Sequence, residues 1–218
     1  YEEPSKVVVT GTPVRGDFFR RTRAEARREL GIDDDRPLLL SYWGSLGAEV
    51  MNGYMADFLR LECEGGQSFR HIHGAGRDFA LLTKALADSG VSAHPYPGVE
   101  VREYIYDMPL VMAAADLVLC RSGASTISEL AAIAKPSVLV PSPNVTADHQ
   151  TKNARILSNG GGAVLLPEKE CSGEKLYEVT SALLHSPERR GEMARRLSEL
   201  AVPDANEKIF ETLKGLLK

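Results

Sequence analysis

The sequence predicts an α/β fold, an open and doubly wound parallel sheet with helices on both faces. Short apolar runs alternate with amphipathic helical patterns about six times along the 218 residues. The run at 37–45 is almost continuously apolar, which is typical of a central parallel strand covered on both faces. After residue 166 only helical patterns remain, so we expect a C-terminal helical tail at 174–218.

The predicted elements of the first half follow from apolar periodicity and from turn residues. The helix at 22–31 has Thr22 as N-cap and Gly31 at its end. The helix at 48–60 is expected to place Val50, Tyr54, Phe58 and Leu61 on one face. Strands are predicted at 7–11, 37–45 and 69–74, and a third helix at 78–89.

The second half continues the alternation up to the helical tail. Strands are predicted at 100–105, 117–120, 137–140 and 163–166. Helices are predicted at 108–115, 127–134, 149–157, 174–185, 188–200 and 206–217. No repeat or low-complexity linker interrupts the pattern, so we expect one domain over 1–218, with 1–16 as an entry segment from a preceding domain.

Composition excludes several classes of function. The net charge of −4 gives no basic surface for nucleic acid, so no nucleic-acid partner is expected. Three cysteines lie far apart without metal spacing, as in a reduced cytosolic chain, and Cys120 is expected to be a buried strand residue. No apolar run approaches the roughly 18 residues of a membrane span, and no signal peptide is seen. The start, YEEPSKVVVTGTPVR, lacks an initiator Met and suggests a piece of a longer protein.

Ligands of such sheets bind beyond the carboxyl ends of the strands, so the strand-to-helix corners are the candidate sites. At 43–48 (WGSLGA), glycines before a helix N-terminus favour an anion such as phosphate, although a tight turn explains them as well. At 73–77 (HGAGR), a loop beside a phosphate is one interpretation and an ordinary turn is the simpler one.

The corner at 120–130 (CRSGASTISEL) places small and hydroxyl-bearing residues at a helix start. Glu129 either accepts paired hydroxyl groups of a ribose or closes a capping box with Thr126. The corner at 140–153 offers His149 and Gln150 to sugar hydroxyl groups. Its alternative is a helix capped by Asp148, with these polar residues solvated.

Two helix N-termini for anions and a ribose acceptor on one sheet edge indicate a nucleoside diphosphate, and the further polar residues indicate an attached sugar. No cluster has metal-ligand spacing, and neither a G-x-S-x-G elbow nor a Cys/His pairing is present. We therefore expect no metal, no cofactor and no catalytic residue in this chain.

Five motifs in order resemble the MurG family of bacterial peptidoglycan N-acetylglucosaminyltransferases. They are T-P-V-R at 12–15, G-S-x-G-A at 44–48, Y-I-x-D-M at 104–108, C-R-S-G-A-x-T-x-S-E at 120–129 and D-H-Q-x-x-N-A at 148–154. The resemblance covers nearly the whole chain but only the C-terminal, donor-binding half of a GT-B enzyme with two Rossmann-like halves.

The resemblance implies a UDP-N-acetylglucosamine site in an inverting transferase without a metal. Arg15 and Ser45 would face the diphosphate, and Ile105 would offer its backbone to uracil. The implied contacts to phosphates, ribose and sugar come from Ala124, Ser125, Thr126, Glu129, His149 and Gln150.

The resemblance also implies partners and a location for the intact enzyme. Its own N-terminal domain would supply the catalytic base and the lipid-linked acceptor site, at the cytoplasmic face of the bacterial membrane. Three departures bear on donor affinity: Trp43 replaces a glycine and is expected to pack, Leu46 replaces a glutamine, and Thr12 replaces an asparagine.

Two alternatives stay open at this point. One is another nucleotide-sugar enzyme of the same architecture, such as a 2-epimerase or a glycolipid transferase. The other is a non-catalytic interaction module that uses the apolar face of the last helix, at 205–218, and binds no nucleotide. An exposed face of that kind is also expected where a covering domain is absent.

Overall fold

The computed structural model describes residues 3–44, 48–66, 68–92, 97–202 and 204–217. Its sheet has six parallel strands in the order β3-β2-β1-β4-β5-β6, so the order reverses between β1 and β4. The predicted α/β, Rossmann-like fold class is confirmed. The strands are β1 (Leu38–Tyr42), β2 (Arg70–Gly74), β3 (Val99–Arg102), β4 (Leu117–Cys120), β5 (Ser137–Leu139) and β6 (Ala163–Leu165).

Helices cover both faces of the sheet, because alternate strand residues point to opposite sides and both sets are apolar. Leu38 and Leu40 of β1 pack in one core, and Leu39 packs in the other. In chain order the helices are α1 (Arg23–Glu29), α2 (Glu49–Glu64), α3 (Phe79–Asp88), α4 (Met108–Ala114), α5 (Ala124–Ala132), α6 (His149–Asn159), α7 (Gly173–Leu184), α8 (Pro187–Leu200) and α9 (Ala205–Leu216).

The helices form two layers, one on each face of the sheet. Residues of α2, α3 and α7 form one core, and residues of α1, α4, α5 and α6 form the other, while α8 contributes to both. Strand, turn and helix repeat in this way until β6, after which α7 to α9 follow without a strand. The predicted helical C-terminal end is therefore confirmed.

The predicted cap of α1 is confirmed in detail. The Thr22 side chain accepts a hydrogen bond from the Glu25 N–H, and the Glu25 carboxylate accepts one from the Thr22 N–H at 2.9 Å. This capping box satisfies helix N–H groups that have no partner within the helix. Gly31 follows the helix at φ +68°, a conformation that glycine adopts without strain.

The predicted strand at 7–11 is wrong. Residues 7–11 have no regular secondary structure, and Val9 is 86% exposed. β-Branched residues favour a strand only where a neighbouring strand completes the hydrogen bonds. Here the segment packs against the start of α9 instead: a Cβ on Gly11 would lie 3.1 Å from Val202.

The face predicted for α2 is only partly its buried face, since Phe58 is buried and Tyr54 packs against the same core. The helix buries Met51, Met55, Phe58 and Leu59, whereas Val50 is 56% exposed. Two polar residues, Asn52 and Glu62, lie on the buried face and hide its periodicity in the sequence. Side chains of the sheet are their partners, which helical spacing does not reveal.

The last helix is joined to the fold mainly at its start. Ala205 is buried, and the Asn206 side-chain amide donates to the Val14 carbonyl at 3.3 Å. Farther along, Phe210, Leu213, Leu216 and Leu217 are exposed, as predicted, whereas Ile209 of the same predicted face is half-buried. Among the described helices, none has the length and apolar character needed to cross a membrane.

Two glycine substitutions test how closely α7 packs on α2. A Cβ on Gly173 would lie 2.3 Å from Asp57 Cβ and 2.8 Å from the Tyr54 carbonyl oxygen. We expect Gly173→Ala to lower the free energy of unfolding by about 1–3 kcal/mol, because backbone atoms must shift. Urea unfolding followed by circular dichroism measures the change.

The matched control is Gly191→Ala in α8, where an added Cβ meets nothing within 4 Å. This substitution should stabilise the protein by about 0.5–1 kcal/mol through helix propensity. Equal effects of the two substitutions would contradict the close packing at Gly173.

Candidate functional site

A cavity of about 400 Å³ lies at the carboxyl edge of the sheet, beside the point where the strand order reverses. Its walls come from the turn before α1, from the ends of β1 and β2, from the loop after β3 and from the start of α5. The lining residues are Arg15, Phe18, Tyr42, Gly44, Gly74, Gly76, Glu103, Tyr104, Ile105, Met108, Ser125, Thr126 and Glu129.

A larger cavity, of about 560 Å³, lies near the amino ends of β1, β2 and β3. It is lined by the first residues of these strands, Leu38, Arg70 and Val99. The Arg70 guanidinium is held there by Asp34 at 2.9 Å. Ligands of open parallel sheets bind at the opposite edge, so the smaller cavity is the candidate site.

The floor of the site depends on glycines. Gly44 follows β1 at φ +93°, which lets the chain turn away directly after the strand. Gly74 ends β2 opposite Tyr42, and a Cβ there would lie 3.1 Å from Ile105 Cδ1. Gly74 therefore leaves room for the Ile105 side chain, which is 5% exposed. With its side chain in the core, Ile105 has main-chain groups to offer a ligand.

The start of α5 is open to a ligand. Its N-cap is Gly123, and no side chain caps the first turn. The N–H groups of the first turn and the positive end of the helix dipole are available to an anion. Ser125 and Thr126 of this turn both line the cavity.

The alternative interpretation of Glu129 as part of a capping box is wrong. Thr126 and Glu129 are the third and sixth residues of α5, so Glu129 lies too far along the helix to reach the cap. Its side chain lines the cavity instead. Burial raises the pKa of the Glu129 carboxyl, and the charge of Arg15 lowers it by less.

Arg15 and Phe18 come from the turn that precedes α1. The Arg15 guanidinium lies 5.5 Å from the centre of the Phe18 ring, within the range of a cation–π contact. Phe18 is 2% exposed and anchors the turn in the core. The site thus holds the cation of Arg15 and the carboxylates of Glu103 and Glu129, each on a different element.

The corner at 43–48 is described only in part, since Ser45, Leu46 and Gly47 lie outside the described residues. Ala48 is the N-cap of α2 and gives no side-chain cap. Trp43 packs in the core, as expected, and is 4% exposed. The Arg121 guanidinium lies 5.9 Å from the centre of its ring.

His149 and Gln150 begin α6 and do not line the cavity. The Gln150 side-chain oxygen accepts from the Ser142 N–H at 2.9 Å. His149 is exposed, and its Nδ1 lies 2.9 Å from the Thr146 carbonyl. Asp148 occupies the N-cap position at φ +51°, but its side chain does not cap the helix.

The buried Ser122 side chain connects α6 to the site. Its hydroxyl donates to the Gln150 carbonyl at 2.8 Å, and its own carbonyl accepts from Asn153 at 3.1 Å. These bonds hold the starts of α5 and α6 side by side. Five of the nine predicted site residues therefore meet in one cavity, Ala124 lies next to it at the start of α5, and His149 and Gln150 lie at the neighbouring corner.

Several residues that line the cavity were not predicted from the sequence. Phe18 and Met108 are ordinary core residues by pattern, and Tyr42 is part of an apolar strand. Glu103 has no local signal, since only the pairing of β2 with β3 carries it to this edge. Cys120 is fully buried, as predicted, and burial raises the pKa of its thiol to about 12, which excludes a role as nucleophile.

The described residues contain no group of three or more His, Cys, Asp or Glu side chains placed to hold a metal ion. The site as described therefore offers an arginine, two carboxylates, hydroxyl groups and main-chain N–H groups. These groups are suited to an anion that also carries hydroxyl groups.

Comparisons with known proteins agree with this geometry. Residues 42–209 match the family described as the glycosyltransferase family 28 C-terminal domain. A UDP-N-acetylglucosamine–N-acetylmuramyl-(pentapeptide) pyrophosphoryl-undecaprenol N-acetylglucosamine transferase of Acetivibrio thermocellus is 37% identical over 219 residues. The match covers 100% of this chain and 58% of that protein. The transferase of the same name from Exiguobacterium sp. is 39% identical over 215 residues, with 98% and 57% covered.

Solved structures show the same fold. The crystal structure of Acinetobacter baumannii MurG has a TM-score of 0.72 at 24% identity, covering 97% of this chain and 58% of that chain. A putative UDP-N-acetylglucosamine 2-epimerase from Listeria monocytogenes has a TM-score of 0.68 at 17% identity, covering 99% and 55%. The chain thus spans somewhat more than half the length of the relatives that it matches.

The raised pKa of Glu129 has a consequence for stability. A carboxyl whose pKa is higher in the folded state than in the unfolded state costs stability as the pH rises through the folded value. We therefore expect Glu129→Gln to raise the Tm of the ligand-free protein at pH 7. The gain should shrink toward pH 4, where the parent carboxyl also carries a proton.

Thermal unfolding at the two pH values checks this expectation. The exposed Asp35 in the loop before β1 provides the control, because Asp35→Asn should leave Tm nearly unchanged at both. A lower Tm for Glu129→Gln at pH 7 would contradict burial as the dominant influence on this carboxyl.

Proposed function

Since this chain belongs to the glycosyltransferase family 28 C-terminal domain family, we propose that its carboxyl-edge cavity binds UDP-N-acetylglucosamine as a sugar donor. The observation that carries the proposal is the single cavity shared by the uncapped start of α5, Arg15 and Glu129. It combines an anion site with a carboxylate that can accept two hydroxyl groups. A nucleoside diphosphate presents both chemistries at once.

Each part of the nucleotide has a proposed partner. The diphosphate lies at the first turn of α5, where Ala124, Ser125 and Thr126 offer N–H and hydroxyl groups. Arg15, from the turn before α1, and Ser45, which lies outside the described residues, are its further proposed partners. Glu129 accepts the two ribose hydroxyl groups, as acidic residues do in other nucleotide sites. Uracil lies against the main chain at Ile105, whose own side chain fills the space that Gly74 leaves open.

The sugar is proposed to extend toward the start of α6, which Ser122 holds beside the start of α5. Because the Gln150 oxygen is bonded to the Ser142 N–H, its amide nitrogen is the group that donates to a sugar hydroxyl. His149, next to it and exposed, is the second polar group within this corner. Side-chain amides and imidazoles both donate and accept, which suits hydroxyl groups.

The reaction is proposed to be an inverting transfer of N-acetylglucosamine without a metal. The uncapped helix start and Arg15 stabilise the negative charge that develops on the UDP leaving group. Binding of the diphosphate and ribose positions the anomeric carbon for attack. The base that activates the acceptor is proposed to come from the N-terminal part of the protein, since this chain supplies binding groups.

The names of the relatives indicate an acceptor and a cellular location for the intact enzyme. Both transferases act, by name, on an N-acetylmuramyl-(pentapeptide) pyrophosphoryl-undecaprenol. We infer a lipid-linked acceptor, a role in peptidoglycan synthesis and a place at the cytoplasmic face of the membrane for the intact enzyme. The exposed apolar residues of α9 fit a contact with the N-terminal domain in that enzyme.

Calorimetric titration with UDP tests the central contact. We expect Glu129→Ala to weaken UDP binding by about 1.5–3 kcal/mol, roughly 10- to 150-fold, because a charged hydrogen-bond partner of the ribose is lost. Glu207→Ala, at an exposed position on α9, is the matched control and should bind like the parent.

Parallel titrations with UDP-N-acetylglucosamine and UDP-glucose test sugar selection. Tighter binding of UDP-N-acetylglucosamine than of UDP-glucose supports a site that selects the N-acetylglucosamine group. Equal binding of UDP by Glu129→Ala and the parent would remove Glu129 from the ribose site. A folded parent that binds none of the three compounds would contradict a donor site in this chain.

A further inference from the structure

Five polar side chains form a continuous chain of hydrogen bonds inside the core, which we name the buried relay. Its members lie on β1, β2 and α2, each at most 3% exposed, and the proposed donor site makes no direct use of them. They are Glu62, His71, Ser41, His73 and Asn52, in the order of their contacts.

The end at Asn52 determines where the protons lie. The Asn52 side-chain nitrogen donates to the Ala75 carbonyl at 2.9 Å and to the Asp78 carboxylate at 3.2 Å. Both of these partners only accept, so the orientation of the amide is settled. The Asn52 oxygen then faces His73 Nε2 at 3.1 Å, and that nitrogen must carry a proton.

The direction of the next bonds follows from the charge of His73. Burial and the neighbouring His71 lower the pKa of His73 to about 3, so the ring is neutral and holds its single proton on Nε2. His73 Nδ1 therefore accepts from the Ser41 hydroxyl at 2.7 Å. Ser41 has only one hydrogen, so its oxygen must accept the proton of His71 Nε2, also at 2.7 Å.

The last contact shares one proton between an acid and a base. His71 Nδ1 lies 2.7 Å from the Glu62 carboxyl, so a single proton joins the two groups. The order Glu62–His71–Ser41 has the connectivity of a hydrolase triad. In this protein, however, Ser41 and His71 are fully buried, and the Ser41 proton points to His73 instead of to His71.

The Asn52 end of the buried relay contacts the candidate site. Asn52, near the start of α2, is hydrogen-bonded to the turn after β2 through Ala75 and Asp78. Gly74 and Gly76 of this turn line the cavity. On the other side, the N–H groups of Ala75 and Gly76 donate to the carbonyls of residues 102 and 103, each at 2.9 Å. The turn is thus held between the relay and the loop after β3.

We propose that His73 is a positioning residue for the nucleotide cavity, acting through Asn52 on the turn at 74–78. The proposal rests on the proposed function for the statement that this cavity binds a nucleotide. Without the His73 proton, the buried Asn52 oxygen would have no donor at this contact. The amide would then turn or withdraw, because an unsatisfied buried acceptor is costly, and the Ala75 carbonyl would be released.

The test uses two substitutions of His73 and one control elsewhere in the core. His73→Leu removes the donor, whereas His73→Gln keeps an N–H that can reach the Asn52 oxygen. The control is Thr180→Val in α7, which deletes another fully buried hydrogen bond, from Thr180 Oγ1 to the Leu176 carbonyl at 2.6 Å.

Three measurements report on the relay. We expect UDP binding about tenfold weaker in His73→Leu, within about threefold of the parent in His73→Gln, and unchanged in Thr180→Val. Amide hydrogen exchange at Ala75 and Gly76 should accelerate in His73→Leu alone. In the unsubstituted protein, nitrogen NMR of the histidine rings should show His73 protonated at Nε2 and bare at Nδ1.

The outcomes separate the relay from the proposed function. A parent that does not bind UDP refutes the nucleotide site, while the exchange and ring measurements still decide the relay. Unchanged exchange at Ala75 and Gly76 in His73→Leu overturns the positioning role, and so does a His73 ring protonated at Nδ1. If His73→Leu and Thr180→Val lose equal amounts of UDP affinity and of Tm, the weaker binding reflects a general loss of stability. That result would also overturn the positioning role.

Discussion

The parallel pairing of β1 with both β2 and β4 is the interaction on which the rest of the structure depends. β1 lies at the centre of the sheet, and α2, which follows β1, and α5, which follows β4, cover opposite faces. The carboxyl ends of β1, β2 and β3 and the start of α5 consequently surround one crevice. Every described wall of the cavity, apart from the turn with Arg15 and Phe18, comes from this arrangement.

The same crevice concentrates groups that do not favour folding by themselves. The first turn of α5 has no side-chain cap, and burial disfavours the charge of Glu129. Both features leave polar groups without full partners until a ligand supplies them. The two apolar cores, one on each face of the sheet, provide stability that offsets the cost of these polar groups.

The polar groups beneath the sheet differ from those at its edge, because their partners are all internal. From His71 through Ser41, His73 and Asn52 to the carbonyl of Ala75 the hydrogen bonds run in a single direction, and one proton joins His71 to Glu62. Buried polar groups of this kind specify one arrangement, since any reversal would place two donors or two acceptors face to face. The hydrogen bond from Asn52 to Ala75 thereby connects the buried side chains to the turn at the carboxyl edge of the sheet.

The sequence by itself determined the alternating elements, the cap at Thr22 and the fold class, because these depend on local periodicity and on turn residues. It also placed Ser125, Thr126 and Glu129 at a corner that opens to the carboxyl edge, whereas Arg15 followed only from the family resemblance. Tertiary structure alone decided that residues 7–11 form no strand, which faces of α2 are buried, and that Glu129 lines the cavity without capping its helix. It also brought Phe18 and Glu103 to the site and joined Glu62 to Asn52. These outcomes depend on partners distant in sequence, which no local pattern records.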